Sequence, residues 1–122
     1  MADYAGTCLE LARVHRSYGF AAKGRDLMEK AIVLDPANLD SRYGLMRFYA
    51  EAPWPLGEKS KAFVQAEEIA QRDPARGRQA FLWLGKYLTN HGHADSARRA
   101  YRELLRLEPH DAAALAALEQ LK

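Results

Sequence analysis

Residues 81–109 read FLWLGKYLTNHGHADSARRAYRELLRLEP, and their spacing decides the fold. Phe81, Leu84, Gly85 and Leu88 recur at three- and four-residue intervals. Gly92 follows, and Ala97, Tyr101 and Leu104 resume the period before Pro109. Apolar residues so spaced line one face of a helix, so the stretch predicts helix, turn, helix. Glycine at the turn supplies a positive φ without a Cβ clash. Proline cannot continue a helix interior but fits the first turn of the next helix, so it sets the boundary.

The same spacing recurs upstream. Leu34-Asp35-Pro36, Arg72-Asp73-Pro74 and Leu107-Glu108-Pro109 lie 38 and then 35 residues apart. Before Pro36, the residues Cys8, Leu11, Ala12, His15, Gly19, Gly24, Met28 and Ala31 repeat the intervals of the 81–109 stretch, with Gly19 in the place of Gly92. In the middle segment Leu45, Met46 and Tyr49 fill the early places and Ala62, Ala66 and Ile69 the late ones. Four extra residues intervene around Ala52 to Gly57, and Arg42 stands at the first signature position. Small residues such as Ala12, Gly24, Gly85 and Ala97 let paired helices approach closely. After Pro109, Leu115, Leu118 and Leu121 keep helical spacing, but Glu119 and Lys122 stand where a further repeat needs apolar groups. A capping helix is expected there.

This arrangement resembles the tetratricopeptide repeat family, whose unit of about 34 residues carries small and large residues at these offsets. The resemblance covers residues 5 to 109 and is closest in the third repeat, through Phe81, Leu84, Gly85, Leu88, Gly92, Ala97, Tyr101 and Pro109. The first repeat has Cys8 and His15 where the family usually places larger aromatics, and the second departs at Arg42 and in its inserted loop. The resemblance implies an all-α fold of seven helices, a right-handed superhelix of antiparallel helix pairs. It would form one domain over residues 1–122, with repeats at about 5–38, 39–76 and 78–111 and a capping helix at about 111–122.

In such a fold the first helix of each pair lines a concave groove. The register places Leu9, Arg13 and Arg16, then Asp40, Tyr43 and Arg47, then Gln79, Leu82, Lys86 and Thr89 on that surface. Leu9, Tyr43 and Leu82 form an apolar row, and Arg13, Arg47 and Lys86 a basic one. A peptide with apolar anchors and carboxylates complements both rows, because arginine holds a carboxylate bidentately and apolar anchors supply desolvation energy. The alternative is that the cations are solvated and lay their stems over neighbouring apolar surface. Family members that clamp the C-terminal carboxylate of chaperone tails use a Lys, Asn and Arg set. Leu9, Arg13, Gly44, Gln79 and Trp83 occupy those places here, which argues against that partner class.

Composition narrows the remaining classes. The 122 residues are 48% hydrophobic and 28% charged, with a net charge of +2, as in a folded domain. The single cysteine, Cys8, excludes an internal disulfide framework and a cysteine-based zinc ribbon. No apolar run approaches the ~18 residues that span a bilayer. No signal-peptide pattern opens the chain as given, a removed export segment is left open, and the compartment is unknown. The slight basic excess is too small and too dispersed to point to nucleic acid.

Residues that elsewhere carry chemistry have plainer readings here. His91 and His93 flank a helix end, where cations favour the dipole, and Asp95 is their one nearby acidic companion. Cys8 reads as a small apolar filler. The carboxylates Glu51, Glu58, Glu67 and Glu68 read as surface charge, and Gly19 to Gly24 lacks the preceding strand and the Gly-Lys-Ser/Thr ending of a phosphate loop. Neither an enzyme, a cofactor nor a metal is expected. In the inserted loop, Pro53-Trp54-Pro55 reads as a lid folded back on the helix ends or else as an exposed anchor for a partner, and Trp83 carries the same ambiguity. The expected function is a non-catalytic adaptor that binds a peptide segment or partner protein. The competing expectation is a structural or self-association module pairing through its terminal helix or outer wall.

Overall fold

The computed structural model describes residues 18–122, which form six helices and no strand: α1 (Tyr18–Leu34), α2 (Leu39–Glu51), α3 (Lys59–Arg72), α4 (Pro74–Asn90), α5 (Ala94–Leu107) and α6 (Ala112–Gln120). The all-α expectation holds for these residues. The count among them is six, not seven; the first expected helix, with Cys8 and His15, falls outside the described range.

Local chemistry sets the boundaries. Asp73 caps α4, its Oδ1 accepting from the amides of Ala75 and Arg76 at 3.1 and 3.2 Å, and Pro74 is the first helical residue, where its missing N–H costs nothing. The other two boundary prolines behave differently. Pro36 and Pro109 lie in the turns before α2 and α6, and those helices are capped by Asn38 and Asp111 through the amides of Ser41 (3.1 Å) and Ala114 (3.0 Å). Gly92 takes the expected left-handed conformation, φ 78°, between α4 and α5. Gly19 is not its counterpart, because it lies within α1.

The chain divides into two compact units, one running to Glu68 and the other beginning at Ile69. In the first, Met28, Ala31, Leu45, Met46, Tyr49, Ala62 and Ala66 are buried, as the register requires, and so is Phe48. Arg42 is 7% exposed. Its Nε donates to the Pro36 carbonyl at 2.8 Å and its Nη1 to Gln65 Oε1 at 3.1 Å, so a buried cation has partners on both sides. The break that Arg42 makes in the apolar spacing is thus compensated by a second polar residue 23 positions on. The Tyr49 hydroxyl donates to Glu29 Oε1 at 2.6 Å, tying α2 to α1.

The inserted loop turns back on the end of α2. Glu58 N donates to the Tyr49 carbonyl at 2.8 Å and Gly57 N to that of Pro53 at 3.0 Å. A Cβ on Gly57 would lie 1.8 Å from the Ala52 oxygen, so the return path admits only glycine. The Trp54–Pro55 peptide is cis, and the Trp54 side chain is 82% exposed. The lid reading is therefore overturned: backbone hydrogen bonds close the loop, and the indole lies mostly in solvent.

In the second unit α4 packs on α5, with Phe81, Leu84, Leu88, Ala97, Ala100, Tyr101 and Leu104 all buried. Gly77 lets α4 approach the backbone of Ala70, where a Cβ would come within 2.4 Å. A helix, α6, is present over the residues where a cap was expected, and it packs on α5. Its docking residue is Ala114, fully buried, whereas Leu115 is exposed and Leu118 and Leu121 are half-buried. Polar ties hold both ends of α6: Arg78 Nε donates to Asp111 Oδ2, and Arg98 Nη1 donates to the Leu121 carbonyl at 2.7 Å.

Candidate functional site

In the first unit, α2 carries Asp40, Tyr43 and Arg47 at intervals of three and four, so they share one face. Asp40 and Arg47 are exposed and Tyr43 is half-buried. Burial, more than any neighbour, raises the Tyr43 phenol above its ordinary pKa; the Arg47 cation opposes the rise and the Glu51 carboxylate adds to it. Arg47 Nη2 pairs with Glu51 Oε1 at 3.2 Å one turn on, so the expected basic row is partly neutralised by its own helix.

In the second unit, α4 has two apolar faces. Phe81, Leu84, Gly85 and Leu88 are the buried one. Leu82, Trp83 and Tyr87 form the other and remain half-buried, with the exposed Lys86 among them. Trp83, Tyr87 and His91 stack as a column at four-residue spacing, with ring centroids 5.1 and 4.0 Å apart and planes inclined by 15° and 22°. His91 Nδ1 donates to the Tyr87 carbonyl at 2.8 Å, which orients the imidazole. Gln79 and Thr89 are exposed, and the Thr89 hydroxyl donates to the Gly85 carbonyl at 2.7 Å, so its donor is already used within α4.

Of the expected groove residues, Asp40, Tyr43 and Arg47 thus come together on α2, and Gln79, Leu82, Lys86 and Thr89 on α4, with Trp83 beside them. Leu9, Arg13 and Arg16 lie outside the described residues. Trp54 stands apart on its loop. Tyr87 was not among the expected site residues, and His91 and Glu51 were expected only as a helix-end cation and as surface charge. Tyr87 and His91 continue the four-residue spacing from Trp83, and that spacing is the signal for the stack. Glu51 follows Arg47 at the spacing of a helical ion pair.

What the α4 face offers chemically is apolar area, aromatic faces and one ammonium group. Among the described residues, no cluster of three or more His, Cys, Asp or Glu is placed to hold a metal ion, and no helix is long and apolar enough to cross a membrane. Compared with known proteins, the chain matches no family model, and no curated protein matches it significantly.

Proposed function

We propose that these helix pairs are tetratricopeptide-like repeats of a right-handed superhelix, and that the protein is a non-catalytic adaptor binding a peptide segment along the first helix of each pair. The observation that carries this reading is the second apolar face of α4. After Leu84 and Leu88 are fully buried, Leu82, Trp83 and Tyr87 still present apolar surface beside Lys86. A peptide with a large apolar side chain and a carboxylate one turn away complements that face. The stacked rings are held in place before binding, so association mainly orders the ligand. Arg47, already paired with Glu51, contributes less than Lys86 on this view.

The test is an array of short peptides pairing apolar and acidic residues, probed with the wild-type protein and with two variants, R13E/R47E/K86E and L82A/W83A. Capture of a subset by wild type, lost by at least about tenfold in both variants with helicity retained, supports the reading. No capture by wild type, or capture indifferent to both variants, overturns it.

A further inference from the structure

Three large apolar side chains in the first unit are almost fully in water: Val33 at 78%, Leu34 at 87% and Trp54 at 82% exposure. Scattered apolar residues on a surface are ordinary, but a tryptophan this exposed is not, and neither is a Val-Leu pair ending a helix with both members uncovered. They lie at opposite ends of α2. The turn after Leu34 is closed by Asp35 N donating to Ala31 O (2.9 Å) and Asn38 N to Asp35 O (3.0 Å), and it leads directly into the first residue of α2. The Trp54 loop leaves from the last residue of α2, 13 residues and about 20 Å further on. Within one copy the tryptophan therefore cannot cover the Val-Leu pair.

The two features complement each other chemically. The described lining of a recess at the Val-Leu end is Asp26, Glu29, Lys30, Val33 and Leu34: two apolar side chains beside one ammonium and two carboxylates, the carboxylates loosely paired with Arg25 at 3.4 and 3.8 Å. An indole has an apolar body and one N–H that only donates, and carboxylates only accept. Glu29 keeps accepting capacity beyond the Tyr49 hydroxyl bond. The loop carrying Trp54 is closed by the Gly57 and Glu58 hydrogen bonds and bounded by two prolines, so little order is lost when the ring is covered.

We propose that the protein associates with copies of itself head to tail, the Trp54 ring of one copy seating on the Val33–Leu34 recess of the next. Because donor and acceptor patches are different surfaces at opposite ends, the contact is heterologous and each copy keeps one patch free, so association continues past the dimer. The area is small, so the affinity is weak and the effect depends on concentration. The inference is independent of the peptide-binding reading, because it uses neither α4 nor the basic row.

Sedimentation and light scattering of the wild type and of Trp54→Ala and Leu34→Glu, from about 10 μM to about 1 mM, test it, with circular dichroism to confirm that each variant is folded. The wild-type average mass is expected to rise steadily above the 13.7 kDa of one chain. Each variant alone is expected to stay at one chain. Mixed in equal amounts, the two restore a single contact, the tryptophan of Leu34→Glu on the intact recess of Trp54→Ala, and growth stops at a dimer. A wild type that stays monomeric or stops at a dimer, a variant that still associates, or a mixture that stays monomeric would each overturn the proposal.

Discussion

The ring of Tyr101 stands where a side chain on Gly85 would begin: a Cβ there would lie 2.6 Å from Tyr101 Cζ and under 3 Å from two further ring atoms. Tyr101 is 3% exposed, so making room means shifting a buried ring. Gly85→Ala is therefore expected to destabilise the protein by ~1–3 kcal/mol through overpacking, even though alanine is the better helix former by up to ~1 kcal/mol. Thermal melts check the sign. In a Tyr101→Ala background the same substitution should turn neutral or stabilising, because the clash is gone and the propensity gain remains.

Arg42 and Gln65 should behave as one unit. Replacing Arg42 by Met strips Gln65 Oε1 and the Pro36 carbonyl of their donor, and a buried group left unpaired costs about 1–3 kcal/mol. Gln65→Leu in the Arg42→Met background is expected to cost less than Gln65→Leu alone. A coupling below about 0.5 kcal/mol in urea unfolding would show that the two side chains act separately.

Asp111 predicts a loss of stability in acid. The Arg78 hydrogen bond, with help from the Ala114 amide, holds its carboxyl below the usual pKa of 3.8. A carboxylate whose pKa is depressed by folding stabilises the native state above its unfolded pKa, and the contribution disappears as pH falls through the folded value. Wild-type unfolding midpoints should therefore drop more steeply below about pH 4 than those of Asp111→Asn, and the two curves should run parallel above about pH 5.

Tyr49 has the opposite sign at the alkaline end. Burial first, and then its hydrogen bond to Glu29, push the phenol well above the ordinary 10.0. The native state favours the protonated phenol, so the contribution is whole below pH 10 and is lost as pH rises beyond the unfolded value. Tyr49→Phe should be less stable than wild type at neutral pH, and the gap should narrow above about pH 10. An unchanged gap would mean that the hydroxyl does not contribute in this way.

Trp83 and Tyr87 carry a prediction for the aromatic face of α4. Tyr87→Ala removes the middle of the ring column, so the Trp83 emission should shift to longer wavelength and the His91 imidazole should lose its stacking partner, with global stability reduced by ~1 kcal/mol or less beyond the apolar area lost. Unmoved Trp83 emission would show that the column does not order the indole.

The helical period, the Gly92 turn and the buried stripes of α4 and α5 were legible from residue spacing alone, because a helix buries every third and fourth side chain whatever it packs against. The same holds for the small residue at Gly85, whose need for space was visible even though its neighbour was not. Tertiary contacts decided the rest. Arg42 looked like a flaw until Gln65 and the Pro36 carbonyl met it. Trp54 had two open readings, lid or exposed anchor, and the backbone closed the loop without its side chain. In α6 the buried residue is the small Ala114, while Leu115 stays exposed. Each of these depends on a partner distant in sequence or on loop geometry, and a one-dimensional period carries no record of which side chain arrives from elsewhere.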